Sequence, residues 1–237
     1  MTTTTSSTPK ACISDARIAS ARRYARSRPG SVSFAVFVGG QIRSDEGSVR
    51  YRSASLVKAM LLVADLRRHA GDHAPLTRAD RARLHAMIHV SDNAAATATY
   101  ALVGSSGLTS VAHLAGMRNY TLRGSWGTSE LTATDQARFW GRLNAVLPAQ
   151  YRSYARSLLR GISAAQVWGG APVARSHGYS TMFKSGWLPR TDGWVVHQGL
   201  RLERGRCTVG IAVLTGGDAS MATGVASIRG VVSHLLG

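Results

Sequence analysis

The stretch SASLVKAM, residues 53–60, contains one of only three lysines in a chain that otherwise uses arginine for its positive charge. The 29 basic residues include Lys10, Lys58 and Lys184, and all the others are arginine. A guanidinium keeps its proton, whereas a lysine ammonium can release one when burial or a neighbouring charge lowers its pKa. Ser55 precedes Lys58 by three residues, so a helix places both side chains on one face. The pattern predicts a serine that a lysine makes nucleophilic.

The residues around this pair form the most apolar helical segment of the chain. ASLVKAMLLVADLRRHA predicts a buried central helix, and the pattern stays helical from Ser55 to about Gln166. Before it, residues 13–28 predict a helix, SVSFAVFV (31–38) a strand, and QIRSDEGSVRYR (41–52) a second strand with a turn near Asp45 to Gly47.

Strand patterns return near the end of the chain, in STMFKSGW, WVVHQGLRLE and RCTVGIAVLTGG, and residues 218–236 predict a terminal helix. We therefore expect an α+β sandwich: a five-stranded antiparallel sheet flanked by terminal helices, with an inserted helical lobe.

One domain accounts for nearly the whole chain. Residues 1–11 are rich in Thr and Ser and predict a disordered lead-in. Residues 12–237 predict a single domain, with a sheet lobe formed by 12–54 and 180–237 and a helical lobe formed by 55–179. An active site is expected where the two lobes meet, because ligand sites favour such clefts.

Three short motifs occur in a fixed order: SLVK at 55–58, SDN at 91–93 and KSG at 184–186. Each is weak alone, but together they form a signature of class A β-lactamases and penicillin-binding proteins. Over most of residues 30–236 the chain resembles the penicillin-recognising serine enzymes, the superfamily of β-lactamases and D-alanyl-D-alanine peptidases, and most of all its class A members. The resemblance implies a β-lactamase-like fold and an acyl-enzyme mechanism.

The resemblance assigns the catalytic roles. Ser55 is the expected nucleophile, opening the buried helix where the helix dipole favours a developing alkoxide. Lys58 accepts the Ser55 proton if it is neutral, or stabilises the alkoxide if it is charged. Ser91 relays a proton to the leaving group, and Lys184 holds Ser91 in place.

Substrate binding is expected from the remaining motif residues. Asn93 would bind the amide carbonyl of the substrate and contact Lys58. Ser185, beside Lys184, would bind a substrate carboxylate, and Gly186 would permit close approach of the backbone. The backbone amides of Ser55 and Trp187 match the oxyanion hole of the family.

The sequence departs from class A β-lactamases at the glutamate that activates the deacylating water. The only glutamates in the chain are Glu46, Glu130 and Glu203. Glu130 alone lies in the part of the sequence where the class A glutamate is expected, but the residues around it do not match those of the family. We therefore expect a serine hydrolase or acyltransferase that acylates Ser55 from a small ester or amide and passes the acyl group to water or an amine, for example in secondary metabolism. The alternatives are a true class A-like β-lactamase, a D-alanyl-D-alanine peptidase and a non-catalytic binding module.

Other chemistries have weaker support. His177 and His197 allow a Ser-His-Asp triad in principle, but no G-x-S-x-G motif is present. His85 and His89 have the spacing of metal ligands, yet a partly buried histidine pair is the simpler interpretation. We expect no metal and no cofactor. Trp126, Trp168 and Trp187 are candidates for lining the cleft, although core packing is the simpler expectation for Trp126 and Trp168.

Composition constrains the partners and the location. The formal net charge is +17, but the arginines are scattered and no nucleic-acid-binding motif is present, so a small-molecule substrate is expected and nucleic acid is not. Cys12 and Cys207 are far apart and predict free thiols. No segment is apolar enough for a signal or a membrane span, so a cytoplasmic protein with no membrane partner is expected, of undetermined oligomeric state.

Overall fold

The structure is a computed structural model that describes residues 12–237, so the expected disordered lead-in lies outside the described residues. Helices surround a central sheet and fill the middle of the chain. Between residues 12 and 237 the α-helices are α1 Asp15–Arg26, α2 Lys58–Gly71, α3 Arg78–His89, α4 Asn93–Ala115, α5 Ala133–Gly141, α6 Leu143–Val146, α7 Arg152–Arg160, α8 Gly170–Ser176 and α9 Met221–Leu236.

The strands form two sheets. They are β1 Ser31–Val38, β2 Gln41–Asp45, β3 Arg50–Arg52, β4 Thr121–Arg123, β5 Ser125–Thr132, β6 Ser180–Arg190, β7 Gly193–Arg204 and β8 Cys207–Asp218. The large sheet has the order β2-β1-β8-β7-β6 with every neighbouring pair antiparallel, and the small sheet has the order β3-β5-β4. The expected α+β architecture with a five-stranded antiparallel sheet is confirmed.

The large sheet forms because its central strands carry long runs of apolar residues. In β8, the segment from Val209 to Leu214 is buried, since α9 and α5 both pack against this strand. Strand β6 is the edge strand, so one side of its backbone has no strand partner and faces the helical segment. That free edge carries the KSG motif and is therefore placed to bind an extended substrate.

The central helix α2 is the core of the helical segment. Ten of its fourteen residues are buried, among them Lys58 and Asp65. Asp65 is neutralised by Arg83 at 2.8 Å and Arg68 at 2.9 Å, which makes its burial tolerable. Within residues 12–237 no helix combines the length and the hydropathy that crossing a bilayer requires.

The small sheet corrects the expected secondary structure. The segment 41–52, predicted as a second strand with a turn near Asp45 to Gly47, forms two strands, β2 and β3, which belong to different sheets. The segment predicted as helical contains β4 and β5. Strand β3 pairs with β5 through Arg50↔Thr132 and Arg52↔Glu130. Polar residues dominate these short strands, so they lack the apolar alternation that reveals a strand in sequence.

The two cysteines correct a second expectation, because they are joined rather than free. Cys12 and Cys207 form a disulfide with a Cα–Cα distance of 5.6 Å, across 195 residues of sequence. Cys12 lies just before α1, and Cys207 is the first residue of β8. The fold brings them together because α1 packs against the large sheet, to which β8 belongs. Disulfides persist mainly in oxidising compartments, so the cytoplasmic location stays a prediction that this bond does not favour.

Candidate active site

The expected nucleophile lies in a tight turn that leads into α2. Residues Ala54–Val57 form a 3₁₀ helix, and α2 begins only at Lys58, so Ser55 does not open the α-helix as expected. The Lys58 backbone N–H donates to the Ser55 carbonyl, which keeps the two residues one turn apart. Ala54, directly before Ser55, has φ 45°, a left-handed conformation that costs energy in a non-glycine residue.

Both sheets hold this turn in place. The Ser53 N–H donates to the Ser129 carbonyl at 2.7 Å, and the hydroxyl groups of the two serines are 3.0 Å apart. On the other side, a Cβ at Gly186 would lie 2.7 Å from Leu56 N and 3.0 Å from Ser55 N. Only glycine fits here, so the KSG edge of β6 lies directly against the backbone of the nucleophile turn.

Two lysines meet at one hydroxyl group. Lys58 Nζ donates to Ser91 Oγ at 3.2 Å, and Lys184 Nζ donates to the same oxygen at 3.0 Å. Lys58 also donates to Asn93 Oδ1 at 2.7 Å and to the Ser91 carbonyl, and Lys184 donates to the Ser185 carbonyl at 2.9 Å. Lys58 of the SxxK motif and Lys184 of the KSG motif therefore converge on Ser91 of the SDN motif, as a proton relay requires, whereas Ser55 Oγ forms no hydrogen bond with any residue between 12 and 237.

The charge on these lysines is destabilised by their surroundings. Both side chains are fully buried. Burial lowers the pKa of Lys58 to about 8, and the nearby Asp92 carboxylate opposes that change. Burial, and then the charge of Lys58, hold the pKa of Lys184 well below its ordinary value. A lysine with a lowered pKa is a competent base near neutral pH.

The SDN segment is shaped by its position before α4. Ser91 has φ 62°, and Asp92 is the N-cap of α4, accepting a hydrogen bond from Ala95 N–H at 2.7 Å. Asn93 is the first residue of the helix and turns its amide oxygen toward Lys58. The strained Ser91 backbone presents the hydroxyl and carbonyl to the lysines together.

The remaining expected binding residues follow along β6. The Ser185 hydroxyl is almost fully buried and accepts a hydrogen bond from Gln198 Nε2 at 3.1 Å. Gln198 also donates to the Trp168 carbonyl and accepts from Gly170 N–H. Next on β6, Trp187 packs edge to face against Trp168, with 5.9 Å between ring centroids.

Trp126, expected from the sequence to pack in the core or to line the cleft, lies against Lys58. Its ring centroid is 5.1 Å from Lys58 Nζ, and its indole N–H donates to Thr97 Oγ1 at 3.2 Å. The Trp126 carbonyl accepts hydrogen bonds from Ser53 Oγ and Ser129 Oγ. The tryptophan thus covers Lys58 while its backbone supports the nucleophile turn. Its position on β5 could not be read from a segment with a helical pattern.

Glu130 does not contact the lysines. Its carboxylate is 3.3 Å from Arg123 and 3.9 Å from Arg50, on the small sheet. Within residues 12–237 no carboxylate oxygen lies within 4.0 Å of the Lys58 or Lys184 amine. Glu130 is therefore placed as a partner of Arg123 and Arg50.

His197 is structural, which makes it unavailable for a Ser-His-Asp triad. It is fully buried, and burial lowers its pKa to about 4. Its Nδ1 accepts from Thr215 N–H at 3.3 Å, so Nε2 carries the proton and donates to the Arg52 carbonyl at 3.0 Å. Both nitrogens are occupied, and the imidazole anchors β3 three residues before Ser55.

The other histidines form no metal site in the part of the chain that the structure describes. His85 is exposed, and its ring stacks on His89 with 4.7 Å between centroids. His89 Nδ1 is bonded to the Gly161 carbonyl. Across residues 12–237 no group of three His, Cys, Asp or Glu side chains is arranged to hold a metal ion.

Comparison with known proteins identifies the family. Residues 81–235 match the model of the beta-lactamase enzyme family, which is more than half of the chain. The chain belongs to that family, within the penicillin-recognising serine enzymes, and its fold is that of a serine hydrolase. No curated protein sequence matches the chain.

Solved structures share the fold over nearly the whole length. The chain is similar to a beta-lactamase from Sphaerobacter thermophilus, at 20% identity and TM-score 0.81, covering 94% of this chain and 96% of that one. It is also similar to TLA-1 extended spectrum beta-lactamase, at 12% identity and TM-score 0.82, covering 94% of this chain and 97% of that one. A class A beta-lactamase from Mycobacterium abscessus matches at 16% identity and TM-score 0.74, covering 93% and 98%. At these identities the likeness shows the fold alone.

Proposed function

We propose that the protein is a serine hydrolase or acyltransferase that forms an acyl-enzyme on Ser55 from a small ester or amide. The observation that carries this proposal is that two buried amines, those of Lys58 and Lys184, both donate hydrogen bonds to the Ser91 hydroxyl. Lys58 lies one turn after Ser55. A structural role for these residues does not explain why two lysines are buried together without a carboxylate partner, since such burial is costly.

Acylation follows from this arrangement. Ser55 Oγ bonds to the substrate carbonyl carbon, and its proton passes to neutral Lys58 Nζ. The carbonyl oxygen becomes an oxyanion facing the amides of Ser55 and Trp187. The bond from carbon to the leaving oxygen or nitrogen then breaks, and the leaving atom takes a proton from Ser91 Oγ. Ser91 recovers its proton from the lysines that donate to it.

Deacylation is the slow step in this proposal. Hydrolysis of the ester needs a base for water, and the only glutamate in the right interval of the sequence, Glu130, is ion-paired with arginines. Trp126 covers Lys58 from the small sheet and reduces the access of water to it. An amine is a stronger nucleophile than water, so transfer of the acyl group to an amine acceptor competes well with hydrolysis.

Hydrolysis of β-lactams is the second candidate. It is favoured by membership of the beta-lactamase enzyme family and by a fold shared with several beta-lactamases. The two candidates share acylation and differ in the fate of the acyl-enzyme, so one assay separates them.

The test is to incubate the protein with benzylpenicillin and follow its intact mass over time. A persistent adduct on Ser55 supports acylation with slow deacylation, whereas rapid turnover without accumulation supports a true β-lactamase. Ser55→Ala should lose the adduct completely. The matched control is Ser105→Ala, an exposed serine on α4, which should acylate like the wild type. If Ser55→Ala is still modified, the proposed nucleophile is wrong.

A second measurement addresses the acceptor. The isolated adduct is exposed to buffer alone or to buffer with a primary amine such as glycine amide. Faster loss of the adduct, together with formation of the corresponding amide, supports acyl transfer. Equal loss in both buffers with free acid as the only product restricts the protein to hydrolysis.

A further inference from the structure

A cavity of about 550 Å³ is lined by β3, whose last residue, Arg52, lies three residues before Ser55. Its walls come from β3, from the β6–β7 hairpin, from Glu130 on β5 and from the end of the large sheet where β1 starts and β8 stops. Arg52 and Arg190 also line a smaller adjoining pocket with Leu188 and Pro189. The cavity therefore continues the surface of β6 beyond the KSG motif.

The direction of the substrate connects this cavity to Ser55. Lys184 and Ser91 lie on the side where the leaving group takes its proton. The acyl part of the substrate must extend the opposite way, along β6 from Trp187 toward Arg190. At about 3.3 Å per residue, Gly186 and Arg190 are separated by roughly 13 Å. A long acyl group on Ser55 therefore reaches the cavity.

The cavity is rich in guanidinium groups. Arg50, Arg52 and Arg190 line it, together with the carboxylates Glu130 and Asp192. Glu130 is also paired with Arg123, and Asp192 is already bound by Arg190 at 2.9 Å. The Arg52 side chain is exposed and donates no hydrogen bond to any residue between 12 and 237. Arg52 thus forms no ion pair within 4.0 Å among residues 12–237, and its charge acts on the Asp192 carboxylate only from a greater distance.

Arg52 is held at this position by buried contacts. Its carbonyl accepts the hydrogen bond from His197 Nε2. Its neighbour Tyr51 points inward, where the phenol is 2.9 Å from Ser33 Oγ and the ring packs on His197 at 5.5 Å. Because strand side chains alternate, Arg50 and Arg52 both point away from that core and toward the cavity. A positive group fixed in place binds an anion at a lower entropic cost.

We propose that this cavity binds an anionic group, a carboxylate in the simplest case, at the far end of the acyl group that Ser55 accepts. The preferred acyl donor is then an ester or amide whose acyl chain ends in an anion roughly 13 Å from the scissile carbonyl. This inference rests on the proposed function, and it adds the substrate class. Arg52 and Arg190 select the substrate and do not take part in the chemistry.

The experiment compares two nitrophenyl esters that differ only at the far end. One is the mono-nitrophenyl ester of sebacic acid, which ends in a carboxylate, and the other is its neutral methyl ester. Nitrophenolate release and adduct mass are followed, and the rate of Ser55→Ala is subtracted. The carboxylate ester should have a kcat/KM about tenfold higher than the neutral ester. Raising NaCl to about 0.5 M should reduce this preference, since salt screens exposed charges.

Variants localise the effect. Arg52→Gln and Arg190→Gln should each reduce the preference to about two- to threefold or less. Arg78→Gln, an exposed arginine on α3, is the matched control and should keep the full preference. The readout is a ratio of two substrates on one variant, so a partly unfolded preparation does not change it.

The results distinguish a failure of this inference from a failure of the proposed function. If nitrophenyl acetate and both long esters acylate Ser55 with no preference for the carboxylate, the inference is wrong and the proposed function stands. If no ester and no penicillin acylates Ser55, the proposed function fails and the inference fails with it. A preference that Arg78→Gln reduces as much as Arg52→Gln reflects the general positive charge and also overturns the inference.

Discussion

Two clusters in this molecule place several cations around one oxygen-bearing side chain, and they are built in opposite ways. The lysine pair is Lys58 and Lys184 around the Ser91 hydroxyl. The arginine cluster surrounds Glu203: Arg156 is 2.6 Å, Arg201 2.8 Å and Arg160 3.5 Å from its carboxylate oxygens.

The difference lies in charge compensation. In the arginine cluster a carboxylate balances the cations, and its hydrogen bond with Arg156 lowers the pKa of Glu203 to about 2. In the lysine pair the shared group is a neutral hydroxyl, and burial lowers the pKa of both amines. The arginine cluster favours its charged form and joins α7 to β7, whereas the lysine pair favours losing a proton.

The contrast explains where the chain uses each basic residue. Arginine serves where a charge must persist, because its guanidinium does not titrate in proteins. In the proposed mechanism, Lys58 and Lys184 are the two residues that handle a proton. Their burial without a carboxylate partner fits that role, whereas the ion pairs around Glu203 fit a role in stability.

The strongest test exchanges the residue type at one member of each cluster. Lys58→Arg keeps a positive charge but removes a group that can accept a proton, so acylation of Ser55 by benzylpenicillin should fall by about 10²–10⁴-fold. Arg160→Lys keeps the charge near Glu203 and should acylate at the wild-type rate. Both acylation rates are measured by quenching the reaction at set times and recording the intact mass of the protein. Wild-type acylation by Lys58→Arg would show that the amine acts only through its charge.

A substitution in the arginine cluster should change the stability of the fold rather than the rate of acylation. Glu203→Gln removes the compensating carboxylate from nearly buried Arg201, so we expect a loss of about 2 kcal/mol in the free energy of unfolding. That corresponds to a fall in Tm of about 4–8 °C for a domain of this size. Asp15→Asn, which breaks an exposed pair with Arg43, is the control and should cost less than about 1 kcal/mol.

The Glu203 effect has a defined pH dependence. The folded pKa is about 2, below the ordinary 4.5, so the stabilisation is present above pH 4.5 and is lost as the pH falls toward 2. The difference in Tm between the wild type and Glu203→Gln should therefore shrink across that range. A difference that stays constant down to pH 2 would exclude the carboxylate charge as its source.

The smallest effect is the pH profile of acylation. The pKa of Lys58 is about 8, and only the neutral amine accepts the Ser55 proton. The acylation rate constant should rise about tenfold per pH unit below that value and level off above it. Single-turnover measurements with benzylpenicillin give the profile. A rate that is flat across pH 8 would contradict the role of Lys58 as a base.

The sequence predicted the large sheet, because strands β1, β6, β7 and β8 carry apolar runs. The SxxK, SDN and KSG strings could be found because each is a local pattern of three or four residues, and their catalytic roles stay a prediction. The small sheet was missed because the polarity of β3, β4 and β5 resembles that of loops. Trp126 and His197 depend on the register of β5 and β7, and register depends on partners that are distant in sequence.

The same limit applies to the cysteines. Two residues 195 positions apart carry no local signal for pairing, and only the packing of α1 beside the sheet brings them together. The 3₁₀ turn at Ser55 was missed for a related reason, because contacts with Ser129 and Gly186 shape it and the apolar periodicity of α2 does not.

The bond between Cys12 and Cys207 encloses Ser55, Lys58, Ser91 and Lys184 within one covalent ring of chain. A protease that cuts once anywhere between the two cysteines opens that ring without releasing a fragment. Cleaved molecules would migrate as intact protein until a reductant is added, and the halves of the crevice would stay tethered to each other after the cut.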